Sequence, residues 1–179
     1  MKSAILLPGW EQDPNEKRYT ALLDSFREAG FDARAHNPDW TKRNTQEWVD
    51  DLLKGLPANT DQLTLLGFSM GALIALLATT HIKVENLILC SASGYFGEYI
   101  PLLTQDDMKW AKENVSNFEA LSATDTLARA QVEHGYIFAG DQELQEWADF
   151  RKWIDDLKTQ TGWKLSVISE TGHEIGAPN

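Results

Sequence analysis

The sequence predicts an α/β fold: a three-layer α/β/α sandwich on a mostly parallel sheet of about six strands, in a single domain over residues 1–179. Two observations predict it. Short apolar runs alternate along the chain with longer segments of helical period, the pattern made by a parallel sheet covered with helices. The length of 179 residues suits one sizeable core rather than two.

The elements follow in order. The first strand is Ser3 to Leu7, ended by Pro8-Gly9. A helix from Asn15 to Ala29 places Tyr19, Leu22, Leu23 and Phe26 on one face, with Gly30 as its C-terminal cap. A short strand, Ala33 to His36, closes at Asn37-Pro38. The next helix starts at Thr45, carries the stripe Trp48, Val49, Leu52 and Leu53, and ends before Pro57. The third strand, Leu63 to Leu66, runs straight into Gly67-Phe68-Ser69-Met70-Gly71 and then Ala72 to Ala78. That last stretch is apolar nearly all round, so it predicts a deeply buried helix. Strands four, five and six are Leu87 to Cys90, Tyr136 to Ala139 and Leu165 to Ile168. A single helix between the last two carries Leu144, Trp147, Phe150, Ile154 and Leu157.

Residues 91–133 exceed a simple strand-to-strand connection. Two helices are expected there, Gln105 to Asn114 and Ala123 to Val132, with Thr104 and Asp107 as a capping pair. The segment reads as a small helical lid-like insertion, or equally as a crossover helix with a decorated loop.

Composition narrows the partners. A net charge of -11 repels nucleic-acid backbones and anionic lipid surfaces, so neither nucleic acid nor membrane is expected as a partner. The single cysteine, Cys90, allows no intramolecular disulfide and fits a reducing, cytoplasmic setting. The N-terminal apolar run is too short for a signal-peptide core, and Ala72 to Ala78 is too short to span a bilayer. No metal-binding, phosphate-cradling or dinucleotide-binding motif occurs, so neither a metal nor an organic cofactor is expected. Seven tryptophans are many for this length. Each suits core packing, and some suit an apolar pocket.

The chemistry-bearing motif is Gly67-Phe68-Ser69-Met70-Gly71, a G-x-S-x-G between a strand and an apolar helix. A nucleophilic serine must stand proud on a very tight turn. Side chains two residues to either side would clash, hence the two glycines. The turn also sets the serine at a helix N-terminus, where free N–H groups and the helix dipole favour a developing oxyanion.

On these residues the chain resembles the α/β-hydrolase family, specifically its small members with a minimal cap. The resemblance covers nearly the whole chain in the order of its parts. It implies six parallel strands in the order 2-1-3-4-5-6, because the family's leading antiparallel strands are missing. It implies a serine–acid–histidine order along the chain. Ser69 takes the nucleophile's place. His173, in Gly172-His173-Glu174 after the last strand, takes the base's. His36 is a distant second, and His81 and His134 read as structural. For the acid, the family's carboxylate three residues past a strand-ending glycine selects Glu143. Asp141, one residue past Gly140, is the alternative, and the other acid caps the following helix. The oxyanion hole falls to the backbones of Met70 and Trp10, with Pro8 where the family often has histidine.

The chain also stops six residues after His173, where the family continues into a final helix. A thinner helix layer follows, and a partner subunit, a second copy included, is expected over the exposed face. The implied activity is a serine hydrolase cleaving a small-molecule carboxylic ester or thioester through an acyl-enzyme. Trp40, Tyr95, Phe96 and Trp110, in or near strand-end loops, are the expected substrate-binding residues. A dehalogenase or epoxide hydrolase is disfavoured, because those relatives carry aspartate where this chain has Ser69. Alternatives are a non-catalytic binding protein on the same fold, or an acyltransferase on the same residues.

Overall fold

The computed structural model describes residues 1–58 and 61–173. Six strands form one sheet: β1 Lys2–Leu7, β2 Asp32–Ala35, β3 Gln62–Phe68, β4 Val84–Cys90, β5 Val132–Gly140 and β6 Lys164–Ile168. Every pairing is parallel, and the order across the sheet is β2-β1-β3-β4-β5-β6. The expected topology is therefore observed. The helices are α1 Lys17–Glu28, α2 Thr45–Gly55, α3 Met70–Ala78, α4 Gln105–Asn114, α5 Ala123–Arg129, α6 Asp141–Glu146 and α7 Ala148–Thr161.

Strand periodicity sorts the core into two layers. Ile5, Leu7, Leu65, Leu87, Leu89, Ile137 and Ala139 point to one face and pack with residues of α2, α3 and α7. Ala4, Leu6, Leu66, Phe68 and Cys90 point to the other, where Tyr19 and Leu23 of α1 cover them. All nine residues of α3 are buried, as its apolar sequence requires. Polar side chains fix several helix starts. Asn44 accepts the N–H groups of Gln46 and Glu47 at α2, Thr104 accepts that of Asp107 at α4, and Ser122 accepts that of Asp125 at α5. Gly162, with φ 69°, ends α7 in the left-handed conformation that glycine adopts without strain.

Two details depart from the sequence reading. The helix expected through Leu144 and Leu157 is two helices, α6 and α7, broken at Trp147 (φ -110°, ψ 108°). Trp153, fully buried in α7, anchors the second by donating from Nε1 to the Ala92 carbonyl at 3.0 Å. The second helix of the 91–133 segment ends at Arg129 rather than Val132. This segment is tied into the body of the protein. Thr45 donates to Asn117 Oδ1, Arg43 donates to the Glu113 carbonyl, and Phe96, Tyr99, Val115 and Phe118 are buried in the main core.

Edge strand β6 is largely exposed, with Val167 at 48% and Ile168 at 36%. The expectations on Glu174 and on a missing final helix concern residues outside the described ones. Among the described residues, no helix is long and apolar enough to cross a membrane.

Candidate active site

At the C-terminal end of β3 the chain turns sharply into α3. Ser69 sits on that turn with φ 50° and ψ -117°, a backbone conformation most side chains avoid. The flanking glycines are required by contact. A Cβ on Gly67 would lie 2.4 Å from the Ala72 Cα, and one on Gly71 would lie 2.3 Å from the Pro8 carbonyl oxygen. The turn is held from the next strand, where the Ser69 N–H donates to the Cys90 carbonyl at 2.9 Å. Met70 is the first residue of α3, a position whose N–H has no partner inside the helix.

Glu143 lies in the first turn of α6 and is 1% exposed. Such burial of a carboxylate requires donors. Oε2 accepts the Gly140 N–H at 2.9 Å and the Ser91 hydroxyl at 2.8 Å, and Oε1 lies 2.6 Å from His173 Nδ1. A carboxylate can only accept, so Nδ1 carries the hydrogen of this bond. Nε2 is then the free acceptor, and it lies 2.9 Å from Ser69 Oγ. The Ser93 hydroxyl is 3.2 Å from the same oxygen.

The loop bearing His173 rests directly on the end of β5. A Cβ on Gly140 would lie 2.1 Å from the Thr171 carbonyl oxygen. Asp141 fastens the same loop. Its Oδ1 accepts the Thr171 N–H at 3.1 Å, and backbone donors at Glu170 and Thr171 hold its pKa below the usual carboxylate value. Of the two acids, the structure brings Glu143 to His173 and sets Asp141 on the loop leading there.

These groups open into a cavity of about 240 Å³. Of the sequence-predicted residues, Trp10, Ser69, Met70, Tyr95, Trp110 and His173 line it. Trp40 and Phe96 do not. Trp40 packs behind Trp10 and against Trp48, with ring centroids 4.9 and 5.2 Å away. Phe96 is fully buried and packs on Trp153 at 4.9 Å. Sequence reasoning missed Ser91, Ser93, Asp107, Trp147, Asp149 and Phe150 on the cavity wall. The small-residue run Ser91-Ala92-Ser93-Gly94 directly after a strand was a usable signal for the first two. Trp147, 41% exposed, stands at the break between α6 and α7 with its ring 5.3 Å from that of His173 and tilted 55° to it.

Burial pushes the Cys90 thiol up to about 12, with the Glu143 charge adding to the effect, so this cysteine stays protonated. His36 faces Asp51, and burial lowers its pKa. His81 lines a separate pocket with Arg129, and His134 lies beside Glu133. Among the described residues, no cluster of three or more His, Cys, Asp or Glu is placed to hold a metal ion.

A six-stranded parallel sheet carrying such an elbow is the architecture of the alpha/beta hydrolases. The chain belongs to the Alpha/beta hydrolase family, whose model matches residues 4–176. No curated protein matches it in sequence. In structure it is similar to Est1E from Butyrivibrio proteoclasticus, with TM-score 0.78 and 16% identity over 96% of this chain and 79% of that one. It is also similar to the ydeN gene product from B. subtilis (TM-score 0.70, 18% identity, 97% of this chain and 88% of that one). A third similar structure is the Pyrococcus furiosus esterase Pf2001 (TM-score 0.67, 14% identity, 97% and 75%). At these identities the likeness is one of fold.

Proposed function

We propose that the protein is a serine hydrolase that cleaves a small-molecule carboxylic ester or thioester through an acyl-enzyme. The observation that carries this reading is the continuous chain from Ser69 Oγ through the His173 ring to the buried Glu143 carboxylate, at 2.9 and 2.6 Å, on a strained turn facing a cavity. His173 Nε2 takes the Ser69 hydroxyl proton as Oγ bonds to the acyl carbon. The backbone N–H groups of Met70 and Trp10 hold the oxyanion. As the carbon–oxygen or carbon–sulfur bond breaks, His173 passes its proton to the leaving alcohol or thiol. Water then gives a proton to His173 and its oxygen to the acyl carbon, and Ser69 leaves reprotonated with the acid released. Glu143 keeps the imidazole in the required tautomer and stabilises its protonated form. Asp141 acts as a positioning residue through the His173 loop. Tyr95, Trp110 and Trp10 supply the apolar surface for the substrate.

A fluorophosphonate probe tests this directly. Wild-type protein is expected to label, and Ser69→Ala and His173→Ala are expected not to. Ser69→Ala should lose activity on a p-nitrophenyl ester by about 10⁴-fold or more while keeping its circular dichroism and melting point. A folded wild-type protein that does not label would overturn the assignment in favour of a binding protein.

A further inference from the structure

The walls of the cavity combine two features that the hydrolytic chemistry does not need. One is aromatic: Trp10, Tyr95, Trp110 and Trp147 all face it. Tyr95 and Trp110 are paired at 5.5 Å, and Trp10 meets Trp110 edge-on at 5.3 Å. The other is anionic: Asp107 and Asp149 line the same space, and among the described residues no lysine or arginine does.

Both aspartates stand in the first turn of a helix, Asp107 in α4 and Asp149 in α7. Complementing a helix dipole does not explain their placement, because an exposed acid does that at no desolvation cost. Asp106 and Asp125, in comparable first-turn positions, are exposed, whereas Asp107 and Asp149 are half-buried beside aromatic rings. The Thr104 hydroxyl donates to one Asp107 carboxylate oxygen at 2.6 Å. Among the described residues, no lysine or arginine forms an ion pair with either aspartate. Two like charges are thus held in one small aromatic cavity, an arrangement that costs the free protein and is relieved by a cation.

The electrostatics agree. Burial and then the field of Asp107 raise the Asp149 pKa against the backbone donors that lower it. The Tyr95 hydroxyl is raised too, by burial first and then by both aspartates. Carboxylates beside electron-rich ring faces are the recognition chemistry of an alkylammonium group.

We propose that the cavity selects an ester or thioester bearing an alkylammonium group in its acyl or its leaving part, held by Asp107 and Asp149 against the rings of Tyr95 and Trp110. The inference deepens the hydrolase reading and rests on it for turnover. A neutral isostere of the same shape fills the same space but leaves both carboxylates unpaired. An anionic substrate is repelled.

Matched substrate pairs test the inference. For the acyl side, the p-nitrophenyl ester of 4-(trimethylammonio)butyrate is compared with that of 5,5-dimethylhexanoate. For the leaving side, acetylcholine is compared with 3,3-dimethylbutyl acetate. In wild-type protein, the cation is expected to be preferred in kcat/KM by about tenfold or more in at least one pair. The ratio should fall to within about twofold in the Asp107→Asn, Asp149→Asn double variant, or fall in part in Asp107→Asn alone if the double variant does not fold. Because the readout is a ratio within one protein, a general loss of rate does not mimic it. Wild-type protein that labels with fluorophosphonate yet shows no preference in either pair overturns this inference and leaves the hydrolase reading standing. If wild-type protein does not label, the hydrolase reading fails. The inference is then decided by titrating tryptophan fluorescence with choline and with 3,3-dimethylbutan-1-ol. Tighter binding of choline supports it, and equal binding overturns it.

Discussion

Where β3 passes into α3, positions are fixed by backbone lying against backbone. Around the cavity above it, where residues 91–133, α6 and α7 rise, they are fixed by ring against ring and charge against ring. At the floor, Gly67, Gly71 and Gly140 each leave less than 3 Å for a Cβ, and the atoms in the way belong to main chain that cannot swing aside. At the walls, the neighbours of Trp10, Tyr95, Trp110 and Trp147 are other side chains. The floor therefore has no room for a side chain at these three positions, while the wall residues lie against side chains that can move.

The strongest way to break this contrast is at the acids. Glu143→Gln should lower kcat on a p-nitrophenyl ester by about 10³-fold or more, because the amide has one oxygen for the three donors that the carboxylate serves and no charge to stabilise the imidazolium. Asp141→Asn should cost less than about tenfold, since the amide oxygen can still accept the Thr171 N–H. Equal, mild losses in steady-state kinetics would remove Glu143 from the proposed mechanism.

Next in size is the floor itself. Gly71→Ala drives a methyl group into the Leu7 and Pro8 carbonyls and should cost about 3 kcal/mol, read from the urea midpoint. Wild-type stability in that variant would mean that the turn has room to relax.

The smallest effect belongs to the walls and carries the opposite sign. The native state raises the Asp149 pKa, chiefly through burial. Its ionised form therefore costs the fold, fully above the raised native pKa and not at all below the unfolded value of about 4. Asp149→Asn should raise the melting temperature at neutral pH, and the gain should vanish as pH falls through that window. An unchanged difference between neutral pH and acid would show that Asp149 carries no such cost.

The same contrast separates what was legible in the sequence from what was not. Strand order and the Ser69 turn rest on local patterns, namely apolar runs, helical periods and paired glycines, and they could be read directly. The acid stayed open between two residues, because the choice depends on which carboxylate is turned under the sheet end. The donors that hold the Glu143 carboxylate there are the Gly140 N–H and the Ser91 hydroxyl, the latter 52 residues away. The walls were the least legible. Phe96 lies in a strand-end loop yet packs inward, where Gly94 leaves space for the Trp153 ring. Trp147 lies on the apolar stripe of a helix yet marks its break. In both cases tertiary packing outweighs local periodicity.

The exposed edge strand β6 has a consequence for how the protein would fail. Among the described residues it pairs only with β5, through five register positions, and it leads directly to the loop that carries His173. Ser69 follows the interior strand β3 and Glu143 sits in α6 at the end of β5, bonded to Gly140 and Ser91, whereas the imidazole is carried on the loop that follows an edge strand at the margin of the sheet. Local opening at such a margin needs less free energy than global unfolding. Mild denaturant should therefore part the histidine from the serine while the sheet is still intact. Catalysis would fade before ellipticity, and the amides of β6 would exchange with solvent ahead of those of β3.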